Sequence, residues 1–145
     1  MRTFTVCCFR VVCKPIETEE KELPIDPYIF GVWLGDGLSS GISFVVNIED
    51  DKEILDEIKN YYSDFDVVEY DISNTDKAKR IHIKDVNSIG NNQLNKNPHK
   101  ALQPFKDLNL IKNKHIPNLY MESSIKQRLE IINGLIDSDG TKNKK

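Results

Sequence analysis

Ile131-Ile132-Asn133-Gly134-Leu135-Ile136-Asp137-Ser138-Asp139-Gly140 has an earlier counterpart in Tyr28-Ile29-Phe30-Gly31-Val32-Trp33-Leu34-Gly35-Asp36-Gly37. Aligned on their ends, both stretches read apolar residues, a Gly, three further residues, a small residue, then Asp-Gly. Each predicts a short helix with small residues four apart: Gly31 and Gly35 in the first, Gly134 and Ser138 in the second. Positions i and i+4 share a helix face, so each helix offers a flat strip on which another backbone can pack closely. Gly37 and Gly140 suit the left-handed position that stops a helix. With the two helices side by side, Asp36 and Asp139 meet where both macrodipoles are negative. A bound divalent cation relieves the mutual repulsion, so the pair reads as a Mg²⁺ site built from two halves.

Neighbouring residues are read more plainly. Asp137 faces Leu34 in the alignment, not an acid, and is expected to be a structural or surface residue. Asp137-Ser138-Asp139-Gly140 is not a calcium loop, because its Gly comes fourth instead of sixth and no Glu follows at position twelve. His82, His99 and His115 lack metal-ligand spacing, and His82 is placed on a strand face. Trp33 is assigned to the core. Cys7, Cys8 and Cys13, an odd number crowded into one segment, read as reduced residues of an intracellular protein, with no paired Cys-x-x-Cys for zinc.

The 145 residues suit one domain or slightly more, and 39% hydrophobic with 30% charged residues is ordinary for a soluble globular chain. No apolar run reaches the roughly 20 residues of a membrane helix, so no membrane partner is expected, and residues 1–14 lack the pattern of a signal peptide. The net charge of −3 hides a division. Residues 1–71 carry 6 Lys and Arg against 16 Asp and Glu, and residues 72–145 carry 14 against 7. The second portion can face phosphate while the first faces solvent, although a merely solvated pattern explains the charges equally well.

Along the chain, residues 3–12 read as a strand and residues 14–23 as an acidic linker or exposed edge. Asp26-Pro27 opens a buried helix to about Asp36. Residues 42–48 predict a strand, and Asp50 with Glu53 a capping box before a helix reaching about Tyr62. Residues 65–72 and 80–84 alternate as strands around a polar loop at 73–79. Short helices are expected within 86–97 and 102–111, and an extended run at Lys114-His115-Ile116-Pro117. Ser124 with Gln127 is a second capping box, and Ile125, Leu129, Ile132 and Ile136 give the last helix an apolar stripe.

Taken together, Pro27 to Gly37, Lys114-His115-Ile116-Pro117, Arg128-Leu129 and Asn133 to Gly140 resemble the LAGLIDADG (dodecapeptide) homing endonucleases, particularly those embedded in inteins. The second copy has Ile-Asn for Leu-Ala and Ser138 for Ala. The resemblance implies an α+β fold in which each copy heads a half with a curved antiparallel sheet that lies in the DNA major groove, helices on one face. It implies that the paired helices form the interface between halves, that Asp36 and Asp139 are the metal-binding catalytic acids, and that Lys114 matches a lysine near the site. Mg²⁺ or Mn²⁺ and double-stranded DNA are then the expected cofactor and partner.

The expected organisation is an N-terminal strand and linker (1–22, a remnant of a flanking splicing domain), a first half (23–122), and a second motif helix with a truncated second half (123–145). The splicing blocks of an intein are missing, so self-splicing is not expected. A missing second half or a second chain is expected to be needed for cleavage. The alternative is a non-catalytic nucleic-acid-binding module of the same fold, an RNA maturase or a DNA-binding regulator, and a third is a degenerate remnant that binds no metal.

Overall fold

Asp26 sets the start of the first helix. Its side chain accepts from the backbone N–H groups of Tyr28 (2.9 Å) and Ile29 (3.1 Å), satisfying two orphan donors of a helix that begins at Pro27. In this computed structural model, which describes residues 15–72, 77–84 and 100–139, helix α1 spans Pro27–Asp36. Ile29, Phe30, Gly31, Val32 and Trp33 are buried along it. A helix enclosed almost all round becomes the axis on which other elements pack.

Strand β1 (Ser43–Asn47) follows, then helix α2 (Lys52–Tyr61), strands β2 (Asp66–Asp71) and β3 (Ala78–Lys84), and helices α3 (Gln103–Asp107), α4 (Asn118–Met121) and α5 (Ile125–Asp139). The described residues thus build an α+β unit with a three-stranded antiparallel sheet of order β1-β3-β2. Val67 pairs with Ile83, and Phe44 with Ile81, so strand alternation turns one face inward. Phe44, Val46, Ile81 and Ile83 are buried on that face, together with Ile54, Leu55 and Ile58 of α2. The opposite face carries Arg80, His82 and Lys84 on the central strand, with Tyr70 opposite Arg80.

Aromatic contacts fasten the later helices to α1. The Phe30 ring lies 4.5 Å from that of Tyr120, and Trp33 meets Phe105 edge-on at 4.9 Å. The buried Tyr120 hydroxyl accepts from the Ile25 N–H (3.0 Å) and donates to the Ile25 carbonyl (2.9 Å), closing both backbone groups just before α1. Removing such a partner costs about 1–3 kcal/mol in unsatisfied groups.

Several expectations are corrected. Gly37 is not left-handed: its φ of −75° and ψ of 149° are extended, and it bridges to Phe44. Glycine is required there because a Cβ would run into the carbonyl and ring of Trp33. The cap of α2 is Asp51, without a side-chain cap bond, while Asp50 accepts from the Asn47 amide at 2.9 Å. The helix expected over 102–111 stops at Asp107, because Asn109 takes a positive φ of 54° and the Leu110 N–H turns back to the Phe105 carbonyl.

Residues 15–23 are not a free linker. Lys21 is held by backbone bonds to Gln127 in α5, through its N–H to Oε1 (3.1 Å) and its carbonyl to Nε2 (2.6 Å). The Ser124–Gln127 capping box forms as expected, with Ser124 N–H to Gln127 Oε1 at 3.2 Å and Gln127 N–H to Ser124 Oγ at 3.3 Å. The α5 stripe is also corrected: Leu129, Ile132 and Ile136 are 51%, 49% and 58% exposed, and the buried residues are Gln127, Ile131 and Gly134. The two sets lie about 200° apart around the helix, so α5 packs by its small-residue face. The strand expected at 3–12, the helix within 86–97, His99 and Gly140 lie outside the described residues. No helix among the described residues is long and apolar enough to cross a membrane.

Candidate metal centre at the paired helix ends

Helices α1 and α5 touch backbone to backbone, and the contact is reciprocal. A Cβ on Gly31 would collide with the carbonyl oxygen of Ile131 and come within 3.0 Å of the Leu135 nitrogen. A Cβ on Gly134 would collide with the carbonyl oxygen of Tyr28 and come within 2.9 Å of the Val32 nitrogen. Ile131 and Tyr28 each stand three residues before the glycine of their own helix, and Leu135 and Val32 one residue after it. The helices therefore meet with a local two-fold relation, in register, and their C-terminal ends lie together.

One turn further on, a Cβ at Gly35 would strike the hydroxyl of Ser138 and lie 3.3 Å from its Cβ. Ser138 turns that hydroxyl onto its own helix, donating to the Leu135 carbonyl at 3.2 Å. A bulkier side chain at either position would wedge the ends apart just below Asp36 and Asp139.

The two acids act on each other. Burial, then the negative charge of Asp139, then that of Asp51, hold the Asp36 carboxyl above its ordinary value, with the Lys114 ammonium opposing them. Lys114 reaches the site from the extended run before α4. Its ammonium donates to the carbonyls of Leu34 (3.1 Å) and Gly35 (3.3 Å), the open end of α1, and sits 5.2 Å from the Trp33 ring centre. Burial lowers its pKa, and Asp36 and Asp139 pull it back up. A cation at a helix C-terminus opposes the negative end of the dipole.

The sequence-derived residues Asp36, Asp139, Lys114, Gly31, Gly35, Gly134 and Ser138 all fall at this helix pair or its end. Asp137, expected to be structural, also bridges the pair, accepting from the Tyr28 hydroxyl of α1 at 3.1 Å. Asp51 escaped the sequence reading. It adds negative charge beside Asp36 only because the turn after β1 returns the start of α2 to the end of α1, and no local pattern announces that. His82 pairs through Nδ1 with the Ser43 hydroxyl (2.7 Å) on the sheet, and His115 Nδ1 lies 2.8 Å from the Asn113 carbonyl.

Among the described residues no three His, Cys, Asp or Glu side chains gather closely enough to hold a metal ion on their own. Two mutually repelling carboxylates are nevertheless the donor set that suits Mg²⁺, which keeps several waters and takes one or two carboxylates plus phosphate oxygens. The raised Asp36 carboxyl is compatible with this, its causes being burial first and then the charges of Asp139 and Asp51, opposed by Lys114.

No protein-family model matches the chain. It is similar to the replicative DNA helicase DnaB of Mycobacterium intracellulare, 27% identical over 131 residues, which is 90% of this chain and 17% of the helicase. The chain thus spans about a sixth of the length of that relative.

Two predictions follow from this geometry. Gly134→Ala is expected to lower unfolding stability by about 2–3 kcal/mol, the cost of overpacking a close contact, read from the shift in urea midpoint. For Asp36, the folded carboxyl lies above the unfolded value near 3.8, so its ionisation destabilises the fold. That penalty is absent below the unfolded value and grows as pH rises through the folded one. Without divalent metal, Asp36→Asn is therefore expected to be more stable than wild type at pH 7, with the gap closing toward pH 3. Thermal melts across that range measure it.

Proposed function

We propose that the chain is a LAGLIDADG-type endonuclease unit of the dodecapeptide class, of intracellular intein origin, hydrolysing phosphodiester bonds of double-stranded DNA with Mg²⁺ or Mn²⁺. The observation that carries this reading is the reciprocal glycine contact of α1 and α5, which brings Asp36 and Asp139 to one shared end. Similarity to about a sixth of a replicative DNA helicase is what an element inserted into such a helicase would give.

In this reading Asp36 and Asp139 would hold the ion. Bound there, a divalent cation would supply an activated water and neutralise charge on the phosphate. The close helix contact sets the backbones of the two Asp residues side by side, which would reduce the reorganisation needed when DNA arrives. Lys114, anchored on the Leu34 and Gly35 carbonyls, holds a positive charge where negative charge develops on the scissile phosphate.

The sheet face bearing Arg80, His82, Lys84 and Tyr70 supplies the DNA contacts. Two-stranded ribbons and sheets enter a major groove about 12 Å wide, with Arg and Lys meeting phosphates and base edges. Cutting both strands calls for a second such surface, from further chain or a second copy.

The runner-up is a nucleic-acid-binding module that does not cleave. The engagement of Lys114 with helix carbonyls favours it, because a lysine in that bond serves the fold. Incubation with a plasmid pool carrying random inserts separates the two. The nuclease reading predicts Mg²⁺-dependent nicking or cutting. Loss of even the outer partners of metal ligands costs about 10- to 100-fold, so Asp36→Asn and Asp139→Asn are expected to lower the rate at least about a hundredfold. Salt-sensitive binding with no metal-dependent cleavage, or cleavage unchanged in the double variant, would reject it.

A further inference from the structure

Lys112 stands in a conformation that lysines avoid. Its φ of 57° is left-handed, and among the described residues only Asn109 (φ 54°) shares that region without being glycine. Asn109 is a residue type that suits it, because a short amide side chain tolerates left-handed backbone. A lysine has no such compensation, and the left-handed form is disfavoured for it by roughly five- to thirtyfold. An outlier of this kind persists where the surroundings hold it, and such residues cluster at ligand clamps and active sites.

The surroundings are specific. The Lys112 N–H donates to the Ser39 carbonyl at 2.6 Å, which ties the run before α4 to the turn after α1. That turn is itself held, since Trp33 Nε1 donates to the Gly41 carbonyl at 3.1 Å. Within the run, the Asn113 N–H bonds the Leu110 carbonyl (3.0 Å) and its side-chain amide the Asn109 carbonyl (3.0 Å). Leu110 is fully buried, so the run is anchored in the core. Two residues beyond Lys112, Lys114 reaches the Leu34 and Gly35 carbonyls at the end of α1. Lys112 is therefore pinned between anchors at residues 34–35 and 39, which bracket Asp36 in the chain.

Positive charge has a use there. Asp36, Asp139 and Asp51 set negative charge where, in the endonuclease reading, a phosphodiester has to approach. Lys114 is committed to the α1 carbonyls. Lys112 is exposed, and its ammonium makes no ion pair among the described residues. Lys59, Lys77 and Lys79, by contrast, pair with Glu69 or Glu49. A lysine meets a phosphate as a point charge, and a rigid loop leaves little to order when it does so.

We propose that Lys112 is a DNA-backbone contact beside the cation site, its ammonium taking a phosphate of the strand that runs past Asp36 and Asp139. The inference rests on the endonuclease reading and adds to it a residue that binds without reading sequence, since phosphate contacts position a duplex and carry no base information. The left-handed backbone is what it takes to hold a lysine at this point of a fixed loop, where asparagine or glycine would fold more readily.

The test sets stability against binding. Lys112→Asn removes the charge and suits the left-handed backbone, Lys112→Gln removes the charge alone, and Lys112→Arg keeps it. The full chain is titrated onto a fluorescently labelled random-sequence duplex, without divalent metal, across a salt series. Loss of one phosphate contact lowers the slope of log affinity against log salt by about 0.9, and the affinity about eightfold at roughly 0.1 M salt. Lys112→Asn and Lys112→Gln are both expected to show that loss, with Lys112→Arg matching wild type. Lys112→Asn is also expected to melt at or above the wild-type temperature, so that weaker binding comes without a weaker fold. Lys59→Gln, which removes a paired lysine of α2, is expected to leave the slope unchanged.

If wild type binds and both charge-removing variants keep its slope and affinity, the contact is overturned while the nuclease reading stands. An equal loss in Lys59→Gln would also overturn it, as an effect of bulk charge. Melting of Lys112→Asn well below wild type would assign the lysine to the fold instead. No saturable binding by wild type would overturn the nuclease reading and this contact together.

Discussion

Two helix backbones in contact, with no side chains between them, are the constraint on which the rest depends. Gly31 against the Ile131 carbonyl and Gly134 against the Tyr28 carbonyl fix α1 and α5 in register. Once that register is set, the helix ends coincide, and two carboxylates one turn beyond are forced into each other's field. Burial first, and then the charge of Asp139, hold the Asp36 carboxyl above its ordinary value. The glycines cost helix propensity, about 1 kcal/mol each relative to Ala, which the close packing must offset.

The core serves this contact. Trp33 and Phe30 are fully buried in α1 and pack against Phe105 (edge-on) and Tyr120 (tilted), so α1 cannot rotate without dismantling the aromatic cluster. Tyr120 bonds both backbone groups of Ile25, which fixes the entry of α1. Gln127 performs the matching task for α5, capping it through Ser124 and tying it to Lys21. The helix starts are held by side-chain bonds, while their ends are left to charge: Lys114 on the α1 carbonyls, with Asp36 and Asp139 beside it.

Much of this was legible in the residues. Small residues four apart in two aligned stretches announced the packing face, Asp26-Pro27 announced the start of α1, and Ser124 with Gln127 that of α5. Local patterns reported local events well. They missed what depends on the path of the chain through space. Asp51 comes near Asp36 because a turn returns α2 to the end of α1, and Gly37 is glycine because Trp33 folds back over it, not because of a left-handed φ. The α5 stripe misled for a related reason. Its apolar residues are real, but the face that packs on α1 is the one with small residues, where a moderate apolar pattern gives a weak signal and backbone proximity gives the contact. Which side of a two-sided helix faces the core is a tertiary choice.

The account stands on Asp36 and Asp139 acting as one cation site, and Mn²⁺ binding by the purified chain reads this most directly, through the electron paramagnetic signal of the free ion. The account predicts saturable binding that Mg²⁺ displaces, weakened about tenfold or more by either Asp36→Asn or Asp139→Asn. Mn²⁺ binding in both variants indistinguishable from wild type would contradict it.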